Sequence, residues 1–174
     1  MTLDATYVKQ IVQETGFDAS NLEKLIRLRQ LLVEFHKHPF LTGRVVLKGG
    51  TAINLFYLNL VRLSVDIDLN YIGQVDRDEM LRERPELAKA VEEVSVALGY
   101  KIQRGVNDHA LMEWYLAYKN HAGTLDQIQV EINFLMRACA LPPKVRKAAS
   151  IGDEKACEFS VLAAEELFAG KTKP

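Results

Sequence analysis

Residues 63–71, LSVDIDLNY, alternate between apolar and polar side chains without a break. A period of two residues sends successive side chains to opposite faces of a β-strand, so this segment is constrained to be a strand with one apolar face. The other face carries Ser64, Asp66, Asp68 and Asn70. Aspartate and asparagine are disfavoured in strands, and like charges on one face repel. We therefore expect something outside the strand to compensate the two carboxylates.

The segments around this strand predict an α/β (α+β) fold, in which flanking helices pack on a mixed sheet. A capping box of Ser20 and Glu23 predicts the start of the second helix, and Pro39 its end. The predicted helices cover residues 4–15, 20–39, 51–60, 77–98 and 162–170. The predicted strands cover residues 44–49, 63–71, 100–104, 111–119, 127–136 and 157–162, and residues 137–156 are predicted to be a loop.

The bulk properties narrow the class of protein. The chain has 174 residues and 48% hydrophobic residues, which suits one domain with a real core. Its net charge of −1 provides no global field for a polyanion, so nucleic acid would have to bind a local patch such as the KVRK run at 144–147. The two cysteines lack metal or redox spacing, and polar residues interrupt every long apolar stretch. These features predict a soluble cytoplasmic protein with no membrane partner.

A glycine-rich turn precedes the strand by one helix. Gly49 and Gly50 follow a predicted strand and open a helix, an arrangement in which backbone N–H groups can approach a bound anion. Thr51 adds a hydroxyl donor, and Lys48 is within reach of a phosphate. The pattern lacks the lysine of a phosphate-binding P-loop and the third glycine of a dinucleotide fingerprint. A plain tight turn remains the alternative interpretation.

The carboxylate pair predicts a divalent cation, because Mg²⁺ is usually held by one or two carboxylates together with substrate phosphates. Glu131 lies on the polar face of another apolar strand, and it completes the metal site if that strand is a neighbour of the one carrying Asp66 and Asp68. The alternative is a solvent-exposed polar face. A calcium-binding EF-hand loop is excluded, because its sixth position is Tyr71 rather than glycine.

Three further residues are weaker candidates for phosphate or ribose contacts. Arg62 and Ser64 lie beside the aspartates, and Lys171 follows the last predicted helix. A lysine at a helix C-terminus is also an ordinary partner of the helix dipole, so the role of Lys171 has two interpretations.

The segments LKGGTAINLFY, RLSVDIDLNY, VEIN and AAEELFAGKTK together resemble the AbiEii-type toxins of type IV toxin–antitoxin systems. These toxins belong to the nucleotidyltransferase superfamily, which has the DNA polymerase β-like fold. The resemblance covers about residues 40 to 171. It implies one nucleotidyltransferase domain over 1–174, with N-terminal helices at 1–39 and a catalytic core at 40–174. The resemblance also implies a helical C-terminal domain in the family, and we expect residues 1–174 not to include it.

The resemblance implies an enzyme that transfers NMP from an NTP to an acceptor RNA, with tRNA as the expected acceptor and a cognate antitoxin as partner. It implies Asp66 and Asp68 as Mg²⁺ ligands, with Glu131 completing the metal site or acting as base. Gly49, Gly50 and Thr51 would hold the β- and γ-phosphates, and Lys171 would face the nucleotide. Two alternatives stay open: transfer to a small molecule, as antibiotic nucleotidyltransferases do, and a module that binds nucleotide without turnover.

Overall fold

The computed structural model describes residues 5–60, 63–151 and 156–169, which form five helices and seven strands. The helices are α1 (Ala5–Thr15), α2 (Ala19–Lys37), α3 (Gly49–Phe56), α4 (Arg77–Ala97) and α5 (Ala164–Ala169). The strands are β1 (Val45–Leu47), β2 (Ile67–Tyr71), β3 (Lys101–Asn107), β4 (Leu111–Lys119), β5 (Leu125–Asn133), β6 (Lys144–Lys147) and β7 (Glu158–Val161).

All seven strands form one mixed sheet in the order β3-β4-β5-β2-β1-β7-β6. The pairs β2–β5 and β1–β7 are parallel, whereas the other four neighbouring pairs are antiparallel. The predicted fold class is therefore confirmed. The pairing also makes β2 and β5 direct neighbours. This meets the condition under which Glu131 lies beside the aspartates of the other strand.

The core lies between the sheet and the long helices α2 and α4. Alternate residues of β4 and β5 are buried, and α2 contacts both β5 and β7. These buried strand residues are Met112, Trp114, Leu116, Tyr118, Ile128, Val130 and Ile132. The intervening residues of the same strands are only partly covered, so β4 and β5 present a polar face on the side away from the core.

Several predicted elements are confirmed in the structure. Helix α1 matches its predicted range closely, and β4 has exactly the predicted residues. Helix α4 begins after Asp76, whose carboxylate accepts hydrogen bonds of 2.9 Å from the backbone N–H groups of Asp78 and Glu79. It continues through Pro85 without a break in its assignment. Both cysteines are free thiols; Cys157 is buried, and Cys139 is only partly buried.

The predicted capping box of α2 is wrong. The helix begins at Ala19, and the Asp18 carboxylate accepts the capping bond from the Asn21 N–H. Ser20 instead donates to Asp126, and Glu23 is completely buried. The pattern misled because a serine and a glutamate three residues apart also suit two long-range contacts, which a local motif cannot distinguish.

The predicted strand at 63–71 and the predicted loop at 137–156 also need correction. Strand β2 begins only at Ile67, so Asp66 immediately precedes it and Leu63–Asp66 have no regular structure. Strand β6 lies inside the predicted loop and pairs with β7 at the edge of the sheet. All four of its residues are exposed, so it carries no apolar pattern from which a strand could be predicted. Helix α3 spans Gly49–Phe56 instead of the predicted 51–60, so it has eight residues and is about half a turn shorter.

No helix in the described part of the chain combines the length and the apolar character needed to cross a membrane.

Candidate nucleotide and metal site

The turn between β1 and α3 forms one wall of the candidate site. Gly49 has a φ of 74°, in the left-handed region that favours glycine. The N–H of Lys48 donates to the Asp68 carbonyl at 2.8 Å, which fixes the turn against the start of β2. A Cβ on Gly49 would overlap the Asp68 carboxylate. Glycine is therefore required here both by the backbone and by the close approach of Asp68.

Two of the predicted carboxylates lie side by side across neighbouring strands. Asp68 of β2 and Glu131 of β5 are register partners in the parallel pair. Asp66 lies two residues before Asp68 and is exposed. The hydroxyl of Thr51 donates to the Asp66 carbonyl at 2.6 Å, which holds the backbone of this carboxylate close to α3. Thr51 is 1% exposed, so its hydroxyl serves this bond.

Lys48 places its charge over the carboxylate pair. Its Nζ lies 3.7 Å from Glu131 Oε1, and both side chains are about three-quarters buried, with 26% and 25% exposed. Burial raises the pKa of Asp68; the nearby charge of Lys48 works against this rise, and the charge of Asp66 adds to it. A carboxylate whose ionised form is disfavoured in this way gains from any cation that binds beside it.

Glu113 extends the row of acidic side chains, and sequence reasoning missed it. It pairs in register with Glu131 across the antiparallel strands β4 and β5. Gln129 Nε2 donates to it at 2.6 Å and the Val106 N–H at 3.3 Å. The available signal was its polar position between Met112 and Trp114, but only the strand order reveals that it lies opposite Glu131.

Four predicted site residues remain, namely Ser64, Gly50, Arg62 and Lys171. Ser64 is half-buried in the irregular segment before β2. Arg62 and Lys171 lie outside the described residues. Gly50 follows Gly49 in the first turn of α3, and its carbonyl accepts a bond of 2.8 Å from Asn54 Nδ2.

The donor atoms of the site decide whether a metal ion fits there. In the ranges that the structure describes, no group of three or more His, Cys, Asp or Glu side chains is arranged to hold a metal ion. Mg²⁺, however, needs only one or two protein carboxylates when a nucleotide supplies phosphate oxygens. Asp66 and Asp68 offer hard oxygen ligands next to a turn that leaves no room for a Cβ. The residues present thus fit a metal that is shared with a nucleotide.

A cavity of about 1110 Å³ lies away from the Gly49 turn. It lies between α4 and the strands β3 and β4, and Glu92 and Trp114 line it. Trp114 Nε1 donates to Glu92 Oε1 at 3.1 Å. Glu113 at the far end of the acidic row also lines this cavity, whereas Asp66, Asp68 and Glu131 do not. Cavity size therefore does not locate the candidate site in this protein, whereas the carboxylate chemistry does.

Comparison with protein families gives one match. The model described as "Nucleotidyl transferase AbiEii toxin, Type IV TA system" matches residues 30–173. A search of the curated proteins found no match.

Solved structures with a similar fold include three chains from Helicobacter pylori and Mycobacterium tuberculosis. JHP933 from Helicobacter pylori has 16% identity and a TM-score of 0.59, over 89% of this chain and 57% of that one. A putative nucleotidyltransferase from H. pylori has the same identity and TM-score, over 89% of this chain and 59% of that one. MenT4, a nucleotidyltransferase toxin from Mycobacterium tuberculosis H37Rv, has 18% identity and a TM-score of 0.60. The match covers 94% of this chain and 57% of that one. The present chain thus spans less than three-fifths of the length of each.

Proposed function

The chain belongs to the AbiEii family of nucleotidyltransferase toxins of type IV toxin–antitoxin systems, and on this premise we propose that it transfers a nucleoside monophosphate from an NTP to RNA, with tRNA as the expected acceptor. The observation that carries the proposal is the pairing of Asp68 with Glu131 beside the Gly49 turn. That arrangement combines carboxylates for a cation with a backbone surface for phosphate, and nucleotidyl transfer needs both.

The triphosphate binds at the start of α3. The first N–H groups of a helix have no partners within the helix, and together with the helix dipole they favour an anion. Gly49 and Gly50 allow phosphate oxygens to approach these N–H groups closely. The side chain of Lys48, the residue that caps α3, lies beside the same turn.

Asp66 and Asp68 are the proposed ligands of Mg²⁺, with Glu131 as a third ligand or as the base. The metal, when bound, neutralises charge on the phosphates and polarises them. The carboxylates hold their positions because Thr51 fixes the Asp66 carbonyl and Lys48 fixes the Asp68 carbonyl.

The transfer step is a displacement at the α-phosphorus of the NTP. A hydroxyl oxygen of the acceptor forms a bond to the α-phosphorus. The bond between the α-phosphorus and the oxygen that bridges the α- and β-phosphates breaks. Pyrophosphate leaves with the electron pair of the broken bond. The proton of the hydroxyl passes to a carboxylate. We assign this role to Glu131, because Asp66 and Asp68 are the proposed metal ligands.

Strand β6 supports an RNA acceptor. Three of its four residues are basic, and all four are exposed. Lys144 aligns with Val161, which in turn aligns with Leu47, the residue before Lys48. Two strand spacings therefore separate Lys144 from the end of β1, a distance of about 10 Å. An RNA whose end reaches the site can place backbone phosphates on this edge.

The proposal includes a cognate antitoxin as the partner implied by the family and a cytoplasmic site of action. It treats residues 1–174 as one nucleotidyltransferase domain, in which α1 and α2 support the sheet.

The test is to incubate the protein with Mg²⁺ and each NTP in turn, labelled at either the α- or the γ-phosphate, together with total cell RNA or an aminoglycoside mixture. The proposal predicts label in RNA from an α-labelled NTP and none from the γ-labelled form. Label in the aminoglycosides alone would make the protein a small-molecule nucleotidyltransferase. Nucleotide binding without any labelled product would identify a binding module.

A further inference from the structure

We propose that Lys48 is the resident counter-cation of the Asp68–Glu131 pair, and that its ammonium group and a divalent cation bind there in competition. Entry of the metal releases the Lys48 side chain toward the phosphates of the nucleotide. The inference rests on the proposed metal and nucleotide site and adds a role for a residue that touches both.

The backbone of Lys48 fixes where its side chain starts. Its N–H donates to the Asp68 carbonyl at 2.8 Å, so Lys48 continues the row in which Asp68 and Glu131 are register partners. From this position the side chain crosses Asp68 and brings Nζ to 3.7 Å from Glu131 Oε1. One ammonium therefore pairs with Glu131 and acts by its charge on the nearby Asp68, and the side chains of Lys48 and Glu131 are mostly shielded from water.

The charge balance of the row leaves the carboxylates under-compensated. Glu113 continues it on the far side of Glu131, and Asp66 lies two residues before Asp68, so the row and its flank carry four carboxylates and one lysine, Lys48. Within the described ranges, Lys48 is the only basic side chain paired with Asp68 or Glu131. Like charges placed opposite each other in a sheet are destabilising, so this ammonium stabilises the metal-free protein.

The contact is also loose enough to be exchanged. Direct charge-assisted hydrogen bonds from nitrogen to oxygen are about 2.7–2.9 Å long. Lys24 meets Asp126 at 2.8 Å and Lys37 meets Glu34 at 2.7 Å, whereas the Lys48–Glu131 distance is 3.7 Å. A cation held by charge alone gives up little directional bonding when a divalent ion takes its place.

Competition makes an unusual prediction, because removal of one positive charge has opposite effects on the two ligands. Without the ammonium, the carboxylates bind a metal ion more tightly. A nucleotide loses a phosphate contact and binds less tightly. An ordinary structural ion pair would change neither affinity beyond a general loss of stability.

The experiment compares the wild-type protein with Lys48→Met, which keeps the length of the side chain and removes its charge. Mn²⁺ serves as the probe, and free Mn²⁺ is counted by electron paramagnetic resonance without any nucleotide. We expect the Mn²⁺ dissociation constant of Lys48→Met to fall by about threefold, a change of about 0.65 kcal/mol that lies within the range of partly exposed ion pairs. Nucleotide affinity, measured separately in Mg²⁺, falls in the same variant.

Lys24→Met is the matched control. Lys24 is 22% exposed and Lys48 is 26% exposed, and each pairs with one half-buried carboxylate, but Lys24 lies on α2 away from the turn. The control variant should leave the Mn²⁺ affinity unchanged. Lys48→Gln repeats the test if Lys48→Met does not fold.

Equal Mn²⁺ affinity in the wild-type protein and the Lys48 variants, or no Mn²⁺ binding by either, overturns the inference. Because this readout needs no turnover, it remains decisive even if the RNA-labelling experiment yields no product. Conversely, active transfer together with unchanged Mn²⁺ affinity would leave the proposed function standing and remove the competition.

Discussion

Asp68 is a residue whose surroundings favour its neutral form. The structure describes no hydrogen-bond donor to its carboxylate, and the side chain lies between Gly49, Asp66 and Glu131. Burial raises its pKa, Lys48 opposes the rise, and Asp66 reinforces it. The ionised carboxylate therefore costs stability in the metal-free protein, which is expected of a residue kept for binding and not for folding.

We predict that Asp68→Asn makes the metal-free protein more stable at neutral pH, by up to about 1 kcal/mol or about 2–4 °C in Tm. A group with a raised folded pKa stabilises the protein only while it is protonated, and this contribution is lost as the pH rises through the folded pKa. The higher stability of Asp68→Asn should consequently vanish in acid, at a pH below the ordinary pKa range of aspartate. Thermal unfolding of both proteins across this pH range measures it.

Asp126→Asn is the control with the opposite sign. Although burial alone would raise the pKa of Asp126, bonds from Lys24, the Gln127 N–H and Ser20 outweigh this and hold it below its usual range. Its neutralisation should destabilise the protein at neutral pH. If Asp68→Asn is also destabilised at neutral pH, Asp68 is a structural residue and the reasoning about its surroundings is wrong.

At the scale of elements, α2 is joined to the end of β4 by a buried charge network. Glu23 is 0% exposed. Its carboxylate accepts hydrogen bonds from Arg27 Nε at 2.8 Å and from the His121 N–H at 2.7 Å, and it lies 2.6 Å from His121 Nδ1. Burial alone would raise the pKa of Glu23, but the bonds from His121 and Arg27 outweigh it and hold the pKa below the usual range. This network fixes the helix that covers the sheet.

Glu23→Gln should lower the free energy of unfolding at neutral pH by about 3 kcal/mol, because Arg27 loses a buried partner. A carboxyl group with a lowered folded pKa contributes stability above its unfolded pKa, and this is lost as the pH falls through the folded value. The difference between the two proteins should therefore shrink below about pH 4. Urea unfolding at several pH values tests this. Glu34→Gln, which affects only an exposed pair with Lys37, should cost less than about 1 kcal/mol.

Strand β6 is the element that the proposal assigns to RNA. Lys144 and Lys147 have no ion-pair partner among the described residues. Arg146, by contrast, donates to the Phe56 carbonyl at 3.2 Å and lies 4.2 Å from the centre of the Tyr57 ring. The two lysines are thus available to phosphates, while the arginine holds the strand to the end of α3.

Replacing both lysines by alanine should raise the KM for RNA by about tenfold and reduce the dependence of binding on salt, since about two phosphate contacts are lost. The KM for NTP should not change. The control is Lys101→Ala with Lys119→Ala, on the strands β3 and β4 at the other end of the sheet. An equal effect of the control pair would show that only the overall charge matters.

At the scale of the whole molecule, the sequence predicted which helices and strands exist better than it predicted where they end or which strands pair. Periodicity identified β4 and α4 because each buries a regular apolar stripe. It missed β6, which is a strand only because β7 provides a partner. The pairing of Asp68 with Glu131 was predictable because each is an acidic residue on an otherwise apolar strand. The position of Glu113 opposite Glu131 depends on the strand order, which the sequence does not show. The Lys48 contact depends on a side chain crossing a strand, which no local pattern encodes.

The most direct test of the account is the rate of nucleotidyl transfer to RNA by Asp66→Asn. Asp66 is exposed and precedes β2, so the substitution should leave the Tm unchanged while transfer falls by at least about 10³-fold, equivalent to about 4 kcal/mol of lost charge stabilisation. Asp78→Asn, which changes another exposed aspartate, on α4, should retain full activity. Transfer by Asp66→Asn within a few-fold of the wild-type rate would contradict the claim that this carboxylate belongs to the catalytic site.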